Sequence, residues 1–358
     1  MLQRTGELCL KGEGRENGRF PYPPTLLYLP TMMTLTSHEK AQARHHAYTL
    51  FGRLFLEGIT PALLPFVQQV EVLTAVLPPT PFDTIAFDEA AVAHQHLFGF
   101  NLFPYASIFL ASDGLLGGDV TAQVVGQYQR SGFAVDSRAA SADYIGHELQ
   151  FLAFLSAAES DAWRDGLPQQ VLRVQQHLRD FLQNHLLYWL PPLVTAVSAI
   201  APATFYAALS DLVLQLVLEQ YEQLCANQLP LAQADPLPQP PDLLAQEKTG
   251  LRRIARYLTV PPYSGIYLSR DQISQIARQH NLPRGFGSRE EMLENVLVTA
   301  VQYDTLPALL DTLNQTLADW DIAYRQHAIL APFMAPWLHR IQRTQAMLAE
   351  MRAYSDSV

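Results

Sequence analysis

The pair His147-Glu148 is the first place to look for chemistry, because an adjacent His and Glu on one helix make half of the zinc-hydrolase pattern His-Glu-x-x-His. The second histidine would fall at position 151, where the chain has Phe151, so this helix face does not grip a metal. Glu148 and Glu159 are too far apart in sequence to read as a di-iron carboxylate pair. His94 and His96 stand two residues apart, and side chains at that spacing face different sides of a helix. The glycines of Pro283-Arg-Gly-Phe-Gly287 fit neither a P-loop nor a dinucleotide spacing, and no Gly-x-Ser-x-Gly occurs. These observations point away from an enzyme, and they imply no metal and no cofactor.

Charge narrows the partners. The chain has 358 residues, with 24 Lys and Arg against 34 Asp and Glu, a net charge of -10. Such a balance argues against nucleic acid, whose phosphates need clustered cations, and suits a basic partner such as a cationic peptide. Cys9 and Cys225 are too few for a disulfide framework and too distant for a metal motif. The chain's first residues lack the apolar core of a secretory signal, and apolar runs elsewhere are broken before they reach membrane-span length. The expectation is a cytoplasmic protein without stable membrane insertion, a monomer or a homodimer.

The elements that would position any site are helices. Tyr48, Phe51, Leu54 and Phe55 share one face of a helix from Ser37 to about Leu56, which Gly58 ends. Asp88 is placed to cap a segment through Phe98. Phe103 to Leu110 is an aromatic run read as a short helix or extended loop, and Asp119 to Ser131 as a helix. Ile145, Leu149, Leu152 and Leu155 form an apolar stripe behind Asp143, which stands where an N-cap would. Pro191-Pro192 should end the helix that begins near Pro168, since proline breaks a helix interior. Ser269-Arg-Asp-Gln272 and Ser288-Arg-Glu-Glu291 each read as a capping box. The expected fold is all-α, with no sheet of three or more strands. Its expected division is a loosely docked or disordered tail over 1–35, a helical domain over 36–229, a Pro-rich linker with a short helix over 230–262, and a helical extension over 263–358.

The run Ala142-Asp143-Tyr144-Ile145-Gly146-x-Glu148-Leu149-x-Phe151-Leu152 resembles the signature of the TorD/DmsD/NarJ-type redox-enzyme maturation chaperones. Members usually have Glu-Pro-x-Asp-His there. This chain keeps the Asp as Asp143, has Tyr144 in place of the His, and has Ala140 and Ser141 in place of Glu-Pro. Tyr105, Phe109, Leu115, Tyr128 and Gly132-Phe133 are similar to the pattern between that family's two helical halves. Phe181-Leu-x-x-His185-Leu-x-x-Trp189-Leu-Pro191 and Phe205-Tyr206 give further matches, so the likeness spans roughly residues 42–228.

The resemblance implies a fold of two helical halves joined by a hinge. It also implies a cytoplasmic chaperone that binds the catalytic subunit of a molybdopterin oxidoreductase, in some relatives through a twin-arginine leader peptide, and assists cofactor loading before export. The implied peptide groove near the hinge would be lined by Phe103, Tyr105, Phe109, Tyr128, Asp143, Tyr144, His147, Glu148 and Phe151. For Glu148 a helix–helix hydrogen bond competes with a peptide contact, and for Asp143 a cap competes with a charge facing the groove. The other class of function is a helical ligand-binding or scaffold protein with no redox-enzyme client.

Overall fold

In the computed structural model, which describes residues 35–77, 84–135, 140–225, 237–243 and 250–355, every regular element is helical. A lone antiparallel bridge between Tyr105 and Tyr144 is the strand-like pairing among the described residues. The tail expected over 1–35 falls outside them except for Leu35, as do Pro230 and Pro236 of the expected linker.

Helix α1 (Ser37–Glu57) opens on a capping box between Thr36 and Glu39 and closes at Gly58, whose φ of 72° suits a residue without a Cβ. Two single-turn helices follow, α2 (Leu64–Val67) and α3 (Glu71–Thr74), then α4 (Thr84–His94). Asp88, expected as a cap, lies inside α4, which begins before it and runs on into a π-helical stretch, Gln95–Asn101. Next come α5 (Ala106–Leu110), α6 (Gly118–Arg130) and α7 (Ile145–Arg164), the helix of the signature. Helices α1 and α7 pack along their lengths. Their backbones come closest at Gly52 and Gly146, where a Cβ on either would meet the other's carbonyl oxygen at 2.8 Å. The glycine of Tyr-Ile-Gly is thus fixed by a helix crossing.

Helix α8 (Pro168–Phe181) passes through a second π-helical stretch, Leu182–Leu186, into α9 (Leu187–Ile200). Pro191 and Pro192 lie inside α9, so the expectation that they end the helix is overturned. Proline removes an amide hydrogen and frees the carbonyl four residues back. For Pro192 that carbonyl is Tyr188, and it accepts the indole N–H of Trp337 at 2.8 Å. A partner 149 residues away takes up the freed group, and the helix continues.

After α10 (Phe205–Cys225) come α11 (Leu251–Thr259), α12 (Pro261–Ser264), α13 (Arg270–Gln279), α14 (Arg289–Gln302), α15 (Leu306–Tyr324) and α16 (Ala331–Ser355). Both expected capping boxes form, at Ser269 with Gln272 and at Ser288 with Glu291. The C-terminal helices share one apolar core with the rest. Tyr267 stacks on Phe109 at 5.6 Å and Phe333 meets Tyr188 edge-on at 5.2 Å. Within the stretch read as a linker, α11 buries Ile254, Tyr257 and Leu258.

Candidate functional site

The turn into α7 is built by polar groups that reach across the hinge. Asp143 is fully buried. Its Oδ2 accepts the amide of Ser107 at 2.9 Å, and its carbonyl accepts the amide of Ala106 at 2.9 Å. Those are the first amides of α5, which no intrahelical acceptor reaches. Asp143 therefore caps α5; the N-cap of α7 is Tyr144, which makes no side-chain capping bond. That corrects the expectation that Asp143 caps its own helix. The other carboxylate oxygen, Oδ1, has no hydrogen-bond partner among the described residues.

Tyr144 serves a different helix end. Its hydroxyl donates to the carbonyl of Phe55 at 2.7 Å, and His94 Nε2 lies 2.8 Å from the same oxygen. One carbonyl of the last turn of α1 is thus satisfied by side chains from two later elements. Burial, reinforced by Tyr105 and Tyr206, pushes the Tyr144 phenol up, so it stays a neutral donor. His96, the other histidine of that pair, lies 3.3 Å from Asp271.

Glu148 sits at the centre, fully buried. Its Oε1 is 2.7 Å from His185 Nε2, and its Oε2 accepts the Trp189 indole N–H at 3.2 Å. Both partners come from the Phe181-Leu-x-x-His-Leu-x-x-Trp stretch, so two separate matches noted in the sequence meet in one cluster. Burial holds the Glu148 carboxyl above the ordinary glutamate value of 4.5, with His185 opposing the shift. Of the two readings weighed for Glu148, the helix–helix hydrogen bond is present.

The remaining expected lining residues divide by burial. Phe109, Tyr128 and Phe151 are in the core. Tyr128 donates to the Ala142 carbonyl at 2.9 Å and lies 4.7 Å from the Phe151 ring. His147 is buried with Nδ1 3.3 Å from Gln150 Oε1. Phe103 and Tyr105 are half-buried, and of the nine they alone reach the surface appreciably. A peptide would touch the others only by displacing packed side chains.

Open space lies next to them. A cleft of about 450 Å³ is lined by the loop between α5 and α6, by Asn184, His185 and Tyr188, and by Pro238. Asp113 and Asp119 stand on its loop side and His185 on its far wall, so the ring that binds Glu148 inside also borders solvent outside. Gly117 and Gly118, at φ 94° and 74°, make the turn that brings Asp119 to the cleft. The sequence pattern did not single out Asp113 or Asp119 as site residues: Asp113 is a loop carboxylate with no period to betray it, and Asp119, in the first turn of α6, reads as an ordinary acidic helix start.

The class this defines is an all-helical protein organised on a buried Glu–His–Trp cluster beside an acidic cleft. Residues 68–195, which hold the whole cluster, match the family described as nitrate reductase delta subunit. The chain is also 33% identical over 104 residues to the perchlorate reductase assembly chaperone protein of Dechloromonas aromatica (strain RCB). That likeness takes in 28% of this chain and 45% of the relative, so the chain spans less than half the length of this curated relative. No solved structure matches the chain.

Proposed function

We propose that this protein is an assembly chaperone for the catalytic subunit of a molybdopterin-dependent oxidoreductase, acting in the cytoplasm before any export of that subunit. The observation that carries the reading is the family match over 68–195, which spans Asp143, Glu148 and His185 and all of the cleft's lining except Pro238. A relative named for assembling perchlorate reductase supports the same direction. No helix among the described residues is long and apolar enough to cross a membrane.

In this reading the client contacts the acidic cleft. A basic residue of the client, in its leader or its mature part, enters the cleft between Asp113 and Asp119, while Leu110, Val120 and Tyr188 of the cleft wall offer apolar contact. The buried members of the set, Phe109, Tyr128, Asp143, Tyr144, His147, Glu148 and Phe151, hold the walls in shape. Partial desolvation in the cleft strengthens each charge-assisted hydrogen bond. Nothing in the comparisons favours the ligand-binding or scaffold alternative.

The test is co-purification of tagged protein with a co-expressed molybdenum reductase catalytic subunit, with and without its leader. Wild-type protein should retain the subunit. Asp113→Asn/Asp119→Asn should weaken retention about tenfold with an unchanged melting temperature, more so at low salt. Retention equal to wild type would remove the cleft from the interface, and no retention of any such subunit would remove the client.

A further inference from the structure

A groove of about 660 Å³ lies where α9 and α10 meet α13, α15 and the beginning of α16. It shares no lining residue with the hinge cleft. Most of it lies beyond the segment that matches the family, so it exists because the C-terminal helices pack on that segment. Val194, Trp320 and Met334 give it a buried apolar floor.

Its walls are amides and carboxylates. Gln272, Gln275 and Gln279 recur at spacings of three and four along α13, and Gln315 and Asp319 do the same on α15, so each set shares one helix face. Gln272 is engaged by its capping box, and Gln315 donates to Asp319 Oδ1 at 2.8 Å. The side-chain amides of Gln275, Gln279 and Gln326 make no hydrogen bond within the protein among the described residues. Asp211 and Asp319 supply the charge, His327 is the basic ring, and no Lys or Arg lines the groove.

We propose that this groove docks an extended, positively charged peptide segment of a partner protein. A primary amide carries two donors and an acceptor on one rigid group, which matches the alternating N–H and C=O of an extended main chain. A helical ligand would present those groups already paired. The carboxylates select Lys or Arg side chains and repel phosphate, and the apolar floor accommodates the aliphatic stem of either. The proposal is independent of the client at the hinge, because the two openings have separate walls.

Fluorescence anisotropy on the full chain tests it, with a labelled Gly-Ser-Arg repeat peptide as the probe and a Gly-Ser-Glu repeat as its control. The Arg repeat should bind and the Glu repeat should not. Asp211→Asn/Asp319→Asn and Gln275→Ala/Gln279→Ala should each weaken binding about tenfold, while Asp113→Asn/Asp119→Asn leaves it unchanged. Circular dichroism confirms that each variant is folded. The proposal is overturned by absent binding of the Arg repeat or by equal binding of the Glu repeat. It is also overturned if both groove variants keep wild-type affinity, if only the hinge variant loses binding, or if spermidine displaces the probe as well as unlabelled peptide does.

Discussion

Helix α7 and the helices α13 and α14 all begin with essential polar side chains, but those side chains reach very different distances. Around α7, Glu148 finds its partners 37 and 41 residues away, and Asp143 finds its own 36 away. At α13 and α14, Ser269 pairs with Gln272 and Ser288 with Glu291, three residues on. The first arrangement ties elements of the hinge together from inside the core. The second closes each helix end with a local pair, although the start of α13 is also tied to Asn101, whose Oδ1 accepts the Asp271 amide at 3.0 Å. The difference teaches where a polar substitution will be felt: across the hinge in one region, within a single turn in the other.

The sharpest way to break that contrast is Glu148→Ala. It strands the His185 and Trp189 donors in the core, and breaking a buried charged network in this way costs about 3–5 kcal/mol. Chemical denaturation should show that loss, and a change under 1 kcal/mol (about the net worth of one ordinary hydrogen bond) would mean that the cluster is not structural. The same residue gives a pH dependence. The folded-state pKa of Glu148 is raised by burial, so the folded protein binds more protons than the unfolded chain between 4.5 and the raised value. Its contribution to stability is therefore greatest at the acid side of that window and falls as pH rises through it. Glu148→Gln should remove this slope, as read from melting temperatures of both proteins from pH 4.5 upward; parallel curves would contradict the shift.

Trp337→Phe comes next. It keeps most of the apolar volume and leaves the Tyr188 carbonyl without the indole, at a cost of about 1–3 kcal/mol. A smaller effect is expected at Asp143. Asp143→Asn keeps an acceptor for the Ser107 amide and should shift stability by less than Asp143→Ala, which loses a cap of about 0.5–2 kcal/mol. If the client also reads this charge, the Asn variant should weaken client binding while melting like wild type. The smallest effect in the series belongs to Ser269→Ala, at about 1 kcal/mol, from the loss of a local cap. Hydrogen exchange should then rise in the first turn of α13 and leave α7 unchanged; spread of the effect to α7 would erase the distinction between the regions.

The same distinction governs what could be read in advance. Capping boxes and apolar stripes are local patterns, so α13, α14 and the buried face of α1 were legible from spacing alone. Asp143 looked like the cap of the helix it precedes, because sequence order cannot show that a more distant helix, α5, offers its amides to the same carboxylate. Pro191-Pro192 looked like a terminator because the rescuing indole lies in another part of the chain. Of the site, the residue types of the signature were legible, while for Glu148 the sequence left a helix–helix hydrogen bond and a peptide contact both open. The burial of Phe109, Tyr128 and Phe151 was not, since an aromatic residue in a motif fits a groove and a core equally well. The acidic cleft was invisible for another reason: Asp113 sits on a loop with no period, and Asp119 in the first turn of α6 looks like an ordinary helix start.

The bond between Trp337 and Tyr188 also bears on modularity. Residues 68–195 look like a cassette that could be cut out or exchanged with a relative, yet Tyr188 lies inside that stretch and its helix is completed by Trp337 far outside it. A chimera that carries the paired prolines without the tryptophan would inherit a bare carbonyl in an apolar setting. One that carries the tryptophan without the prolines would offer a donor to an oxygen already engaged by its own helix. The unit that can be transplanted is therefore set by this pair, and it is longer than the unit that sequence similarity outlines.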